Sequence, residues 1–413
     1  MFLDRNIEKK IECYLNDFPV IVLTGVRQCG KTTLARHVRP DWKYFDLEKG
    51  SDFDFITADF DLFFNQYDES VIIDEAQISP QVFRELRGVV DNERGKKGRF
   101  ILTGSSSPEL KKQISESLAG RVAVIEVGTM KLNERYRKDV SGIYEILTRA
   151  SVSDHLRLLQ KMTDPVCTQD VLMHFFEGGY PELVVNSDKD FRLEWFEQYF
   201  DSYIQRDMKA LFPGLQSENY RRFVRMLSGL SGTTINRSQI GRALSVSEGA
   251  IRNYLDIAEG TYVWRNIPSL ESTVSKSVVK MGRGYVRDSG LMHYLQQINN
   301  IDRVLSHAGT GYAFEGFVTE EIIQGLNSVS LSRWGCNYYR TRGGREVDLV
   351  LTSPDAAMIP VEIKFGTSTK RNEIKPLAAF IEQENLDYGI LINNSNRLAL
   401  LAHNIIQIPA GYL

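Results

Sequence analysis

Apolar and polar positions change their rhythm several times along this chain. From the start to about residue 130, short β-branched runs such as "VIVLTG", "VIID", "FILTGS" and "VAVIEV" alternate with amphipathic stretches. That alternation predicts a mostly parallel sheet with helices on both faces. Residues 150 to 215 read as helical, and "FRLEWFEQYFDSYIQRDM" carries aromatics at three- and four-residue intervals. Such spacing marks a packed face, so Tyr199 and Tyr203 are expected in a core. Next, "INRSQIGRALSVSEGAIRNYLDIAEG" predicts a short helix over Gln239 to Leu244, a tight turn, and a second helix starting near Glu248 with Ser247 as its cap. Strand-like "TYVWRNIPSL" and "SKSVVKMGRGYVRD" follow, the order of a helix-turn-helix with a wing.

Near the end, "EVDLVL" and "IPVEIKF" alternate in twos around "TSPDAAM". Pro354 and Asp355 are turn formers, so a hairpin centred on Asp355 is expected. Its register sets Asp348 opposite Glu362 and Glu346 opposite Lys364. The pleat then puts Glu346, Asp348, Glu362 and Lys364 on one face, with Val347, Leu349, Val361, Ile363 and Phe365 on the other.

At 413 residues, with ordinary proportions of apolar and charged residues, the chain has room for several independently packed domains. A net charge of −3 excludes a protein that coats nucleic acid through global positive charge, so any such contact must be local. Cys13, Cys29, Cys167 and Cys336 are far apart and form no CxxC pair, which suggests reduced thiols. "MFLDRNIEKKIECYL" lacks the apolar centre of a signal peptide, and no stretch is apolar for long enough to cross a bilayer. A cytoplasmic protein without membrane partners is expected.

The first chemistry lies in "LTGVRQCGKTT", a glycine-bounded loop between a strand and a helix. Gly25, Val26, Arg27, Gln28, Cys29, Gly30, Lys31, Thr32 and Thr33 form a phosphate-binding loop. Its backbone amides can curl around phosphate oxygens, aided by the helix N-terminus. Lys31 can reach the β- and γ-phosphates, and the Thr32 hydroxyl can ligate Mg²⁺. The expected ligand is therefore ATP with Mg²⁺. "VIIDEAQ" ends a strand in Asp74 and Glu75. Asp74 is placed to hold Mg²⁺ through water and Glu75 to orient the attacking water; capping of the next helix is the plainer alternative. Ser105, after "ILTG", is the candidate γ-phosphate sensor, or else a helix cap. Arg121 in "SLAGRV" is either a solvated arginine or an arginine finger acting in its own subunit or a neighbour's. The neighbour's role adds a homo-oligomer to the expected partners.

"LTGVRQCGKTTL", "VIIDEAQ", "ILTGSSS" and "SLAGR", together with "EGGYPE", "YIQRD" and "FEGFVTE", resemble a bacterial and archaeal family of AAA-type ATPases with an uncharacterised C-terminal domain. The resemblance spans nearly the whole chain. It implies an α/β protein with a P-loop NTPase (AAA+/ASCE) domain over 1–135, a helical connector over 136–215, a winged helix-turn-helix over 216–298 and an α/β restriction-endonuclease-like domain over 299–413. The Asp348…Glu362-x-Lys364 pattern matches the core of that endonuclease superfamily. There Asp348 and Glu362 would hold a metal, and Lys364 would activate a water and steady developing charge. The superfamily adds an acid from a preceding helix. Glu315 in "GYAFEGFVTEEIIQGL" matches that position, with Glu320 as second choice.

The competing reading is a plain cross-strand ion pair between Glu346 and Lys364 on a solvated face. Basic Lys276, Lys280, Arg283 and Arg287 in the wing, and Arg333, Arg340, Arg342 and Arg345 before the hairpin, suit phosphate contact. Nucleic acid, DNA ahead of RNA, is thus the expected partner, although winged helices also serve as protein-docking modules. The resulting expectation is an ATP-hydrolysing AAA-type enzyme coupled to a nuclease-like, DNA-binding module. Its alternative is a nucleotide-dependent switch or scaffold that binds DNA or protein without cutting.

Overall fold

A computed structural model describes residues 2–105, 110, 114, 116–140, 142–147, 165–270, 282–329, 334–370 and 372–413. These divide into two compact units. The first comprises Met1–Thr129 with Asp256–Tyr262, and the second Met130–Leu255 with Val263–Leu413.

In the first unit five strands, β1 (Val20–Gly25), β2 (Lys43–Asp46), β3 (Val71–Asp74), β4 (Phe100–Ser105) and β5 (Val122–Val127), form one parallel sheet in the order β2-β3-β4-β1-β5. Inner strand β1 is buried along its whole length, which is why it reads as a continuous apolar run. Edge strand β2 is only partly covered. The helices Lys31–Val38 and Gln81–Asn92 follow β1 and β3. Phe63, Phe83, Leu86, Phe100 and Leu102 share the core on one face of the sheet.

Because β4 lies between β1 and β3, the strand that leads into the phosphate loop and the strand that ends in Asp74 are not adjacent, and β4 presents side chains between them. Parallel order also decides where Arg121 can be. Val20 aligns with Val122 and Gly25 with Val127, so Arg121 precedes the opposite end of the sheet from the loop, roughly 20 Å of extended strand away.

The second unit holds the helices Thr168–Glu177, Lys189–Ser202 and Ser217–Gly229 and their aromatic layer. Tyr199 and Tyr203 are buried there as expected. Trp195 stacks on Tyr199 at 5.1 Å, and Tyr203 and Tyr220 share a hydroxyl hydrogen bond of 2.9 Å. The helix Arg237–Leu244 and the helix Glu248–Gly260 as far as Leu255 follow, and Ser247 Oγ accepts the Ala250 amide at 3.1 Å. Strands β6 (Thr233–Thr234), β7 (Trp264–Ile267) and β8 (Arg283–Val286) form a small antiparallel sheet in the order β6-β8-β7.

After the long helix Thr310–Val329, strands β9 (Gly335–Arg340), β10 (Glu346–Thr352), β11 (Met358–Lys364), β12 (Gly389–Asn393), β13 (Ala399–Ala402) and β14 (Ile405–Pro409) make a mixed sheet. Its order is β13-β14-β12-β11-β10-β9. β9, β10 and β11 are antiparallel, then the helix Lys375–Gln383 crosses over to β12, which is parallel to β11.

The β10–β11 hairpin has the expected register, with Leu349 across from Val361 and Thr352 across from Met358. Its environment differs from that of the competing ion-pair reading. Asp348 and Glu362 are buried, so the polar face is not solvated. The helix Thr310–Val329 lies against β11, and the helix Lys375–Gln383 packs on β10 and β11. Among the described residues, no helix is long and apolar enough to cross a membrane.

Candidate functional site

The loop of the first unit ends at Gly30, whose φ of 93° is a conformation glycine tolerates at no steric cost. At Gly25 a Cβ would sit 2.1 Å from the Val127 carbonyl oxygen, so β1 and β5 can meet there only through a glycine. Buried Lys31 bends back over the loop and donates to the carbonyls of Gly25 at 3.3 Å and Val26 at 3.1 Å. Cys29 is buried, and its thiol faces the Val127 carbonyl at 3.3 Å. It is a packing residue within the loop.

Thr32 donates to both carboxylate oxygens of Asp74 at 2.9 Å, which joins the loop to the end of β3. A hydroxyl and a carboxylate this close are hard oxygen donors of the kind Mg²⁺ takes. Two further donors reach Asp74 that the sequence did not single out. Tyr44 at the β2 edge donates at 2.8 Å, and Thr103 on β4 also donates to the carboxylate. Thr103 in turn accepts the Glu75 amide at 3.4 Å. It stands two residues before Ser105, which lies beside Gly25 in the β1–β4 register. The missed signal was strand order, since only an inserted β4 gives Thr103 access to Asp74. Glu75 has a φ of 52°, and its carboxylate accepts the Gln77 side-chain amide.

Arg121 corrects one expectation. It forks onto Asp91 through Nε at 2.7 Å and Nη2 at 2.8 Å, at the end of the strands opposite the loop. That fork holds the Asp91 carboxyl down to about 2. In its own subunit Arg121 is therefore not a finger on this nucleotide site.

The second unit gathers the other predicted acids. Glu315 projects from the helix Thr310–Val329, Glu346 and Asp348 from β10, and Glu362 and Lys364 from β11. Lys364 Nζ lies 2.6 Å from Glu362 and 3.6 Å from Asp348. Asp348 also accepts the Ile363 amide at 2.9 Å. The Lys364 ammonium is held protonated: burial opposes its charge, but Asp348 and Glu362 outweigh that. Burial, reinforced by Asp348, pushes Glu315 and Glu362 up to about 8. Glu362 Oε2 is buried without a hydrogen-bond partner.

A residue expected elsewhere completes the cluster. Arg283, read from sequence as a wing residue for phosphate, is buried and pairs with Glu315 and Glu346. Its Nη1 also lies 3.6 Å from Asp348, and Tyr285 donates to Glu315. The Glu346–Lys364 pair of the competing reading is therefore replaced, because Arg283 and Arg340 take Glu346. Arg287 is likewise not a surface wing residue. It binds Glu320 at 2.8 Å, and Arg265 holds the same carboxylate at 2.5 Å, so second-choice Glu320 belongs to a separate ion-pair group. Lys276, Lys280 and Arg333 lie outside the described residues. Arg342 and Arg345 are exposed.

Among the described residues, one group of acids and histidine brings its ligating atoms within 4.8 Å of one another: surface Asp4, Glu8 and His37. Glu315, Asp348 and Glu362 do not gather that closely with Arg283 and Lys364 between them.

Comparison with known proteins agrees with the first site. Residues 17–136 match a family model described as an AAA domain. Residues 168–302 and 310–413 match two models, each described as a domain of unknown function (DUF8612 and DUF4143). An uncharacterised protein of Mycobacterium tuberculosis is 28% identical over 99% of this chain and 84% of its own length. An uncharacterised protein of Methanocaldococcus jannaschii is 22% identical over 92% of this chain and 83% of its own length. A solved Walker-type ATPase of Pyrococcus abyssi is 15% identical, covering 71% of this chain and 96% of that one, with a TM-score of 0.43. The N-terminal unit is an AAA-type P-loop ATPase domain.

Proposed function

We propose that this chain binds and hydrolyses ATP at the Lys31–Thr32–Asp74 site and uses it to control a divalent-cation-dependent, nuclease-type centre at Asp348, Glu362 and Lys364. The observation that carries the second half is the meeting of buried Glu315, Asp348 and Glu362 with partly exposed Lys364. A cross-strand pair on a solvated face would be exposed and internally satisfied, whereas here one Glu362 oxygen is buried and unpaired. A helix, three antiparallel strands, a crossover helix and a parallel strand also form the order expected of a restriction-endonuclease-like domain, which supports the reading.

At the first site Thr32 and Asp74 would hold Mg²⁺, whose role is to neutralise phosphate charge during transfer. Lys31 would leave the loop carbonyls for the phosphates, Glu75 would orient water, and Thr103 would keep Asp74 in place. Ser105 remains a sensor candidate beside Gly25. At the second site Asp348 and Glu362 would hold the cation, with Glu315 behind them, and Lys364 would orient a water. The two-helix segment with its small sheet would act as a winged helix, and the exposed Arg342 and Arg345 would meet a DNA backbone. A cytoplasmic, oligomeric enzyme fits this scheme.

One observation favours the non-cutting alternative: Arg283 already supplies a positive charge among the carboxylates. A cleavage assay on supercoiled plasmid and single-stranded DNA with Mn²⁺, with and without ATP, separates the two. Cutting that disappears in Asp348→Ala supports the nuclease, and its loss in Lys31→Ala shows that ATP licenses it. Intact ATP hydrolysis without scission under any condition would leave the switch.

A further inference from the structure

The cation in the carboxylate cluster comes from a different part of the fold than the carboxylates do. Arg283 opens β8, where it faces Ile267 of β7 and Thr234 of β6 in the small sheet whose strands flank the two-helix segment. The acids stand on the helix Thr310–Val329 and on β10 and β11. The Arg283 side chain is 3% exposed, and its guanidinium reaches Glu315, Glu346 and Asp348. Its Cζ lies 5.2 Å from the Tyr338 ring centre, which closes it in further. Lys364 serves the remaining sides of Asp348 and Glu362. Even with Arg340 beside Glu346, both Glu362 Oε2 and Arg283 Nε are buried without partners. The carboxylates are imperfectly matched to the cation that occupies them.

Resting on the reading of this cluster as a divalent-cation site, we propose that Arg283 is a tethered counter-ion that occupies it and excludes the divalent cation until β8 withdraws. Two positive centres cannot share these oxygens without strong repulsion in a poorly solvated pocket. An arginine cannot relieve that repulsion by losing its proton, because it stays charged at any pH the protein survives. Release therefore requires movement of the strand that carries it. A partner that engages the small β6-β8-β7 sheet would act on the cluster through this one side chain. The same contact accounts for carboxylates that do not reach ligand spacing in this structure.

The test counts Mn²⁺ bound to the full chain, without nucleotide, by the electron paramagnetic resonance of free Mn²⁺. An Asp74→Asn background keeps the loop site out of the count. Arg283→Met is expected to tighten Mn²⁺ binding by at least about tenfold, the size of effect that one close charge commonly has. Adding Asp348→Asn should abolish that gain. Should Arg283→Met not fold, Arg283→Met/Glu346→Gln removes one charge of each sign and is compared with Glu346→Gln alone. Equal Asp348-dependent affinity with and without the arginine would overturn the counter-ion and leave the cation site standing. No Asp348-dependent Mn²⁺ binding in any folded version would overturn the cation site and the counter-ion together.

Discussion

Replacing Thr103 by valine tests whether β4 takes part in ATP turnover. Valine keeps the shape of the threonine, so the core around this fully buried position is preserved and only the hydroxyl goes. That hydroxyl donates to Asp74 and accepts from the Glu75 amide. A buried hydrogen bond to a charged group contributes about 1.5–3 kcal/mol. At about 1.4 kcal/mol per tenfold in rate, kcat should fall by about 10- to 150-fold. Asp74 keeps its bonds from Thr32 and Tyr44, and the phosphate loop is untouched, so nucleotide affinity should change little. The assay is steady-state ATP turnover with Mg²⁺, alongside equilibrium binding of a fluorescent nucleotide without it. A kcat within twofold of the parent would refute a role for the hydroxyl in turnover. Loss of nucleotide affinity by the same factor as kcat would instead make Thr103 a plain structural residue of the loop.

Three further outcomes are expected. Arg121→Ala should leave ATP turnover of the monomeric chain unchanged, since the fork on Asp91 lies away from the loop; a large fall would reinstate Arg121 as a finger. Lys131 is buried and donates to the Glu321 carboxylate at 2.9 Å, so Lys131→Met strands a buried charge and should lower unfolding stability in urea by about 3–5 kcal/mol. A loss below about 1 kcal/mol would mean that Glu321 is satisfied without it. Burial pulls His293 from 6.5 down to about 4, so its contribution to stability is present above pH 6.5 and lost as the pH falls from 6.5 to 4. That loss is about 3 kcal/mol at most; urea titrations from pH 7 to 4 should fall more steeply for the parent than for His293→Asn, and parallel curves would contradict it.

Much of the architecture was legible in one dimension because it depends on local periodicity. The apolar run before Gly25, the GxxxxGKT spacing and the acids ending β3 each follow from what a strand, a tight loop and a helix start require. The Ser247 cap and the hairpin centred on Asp355 are equally local, and both appear where turn chemistry puts them. The Asp348, Glu362 and Lys364 set was readable for the same reason, since the strand period decides which side chains share a face, whereas Glu315 was indicated by the family resemblance.

What the sequence could not determine is which elements become neighbours. Insertion of β4 between β1 and β3 brings Thr103 to Asp74, while parallel order carries Arg121 to the opposite end of the strands from the loop. Burial of both faces of the hairpin converts an apparently solvated ion pair into a desolvated cluster. It also draws in Arg283, which along the chain looks like one of several basic wing residues. Charge by itself carries no address. A carboxylate or a guanidinium takes its role from what surrounds it once water is excluded, and only the packed chain decides that.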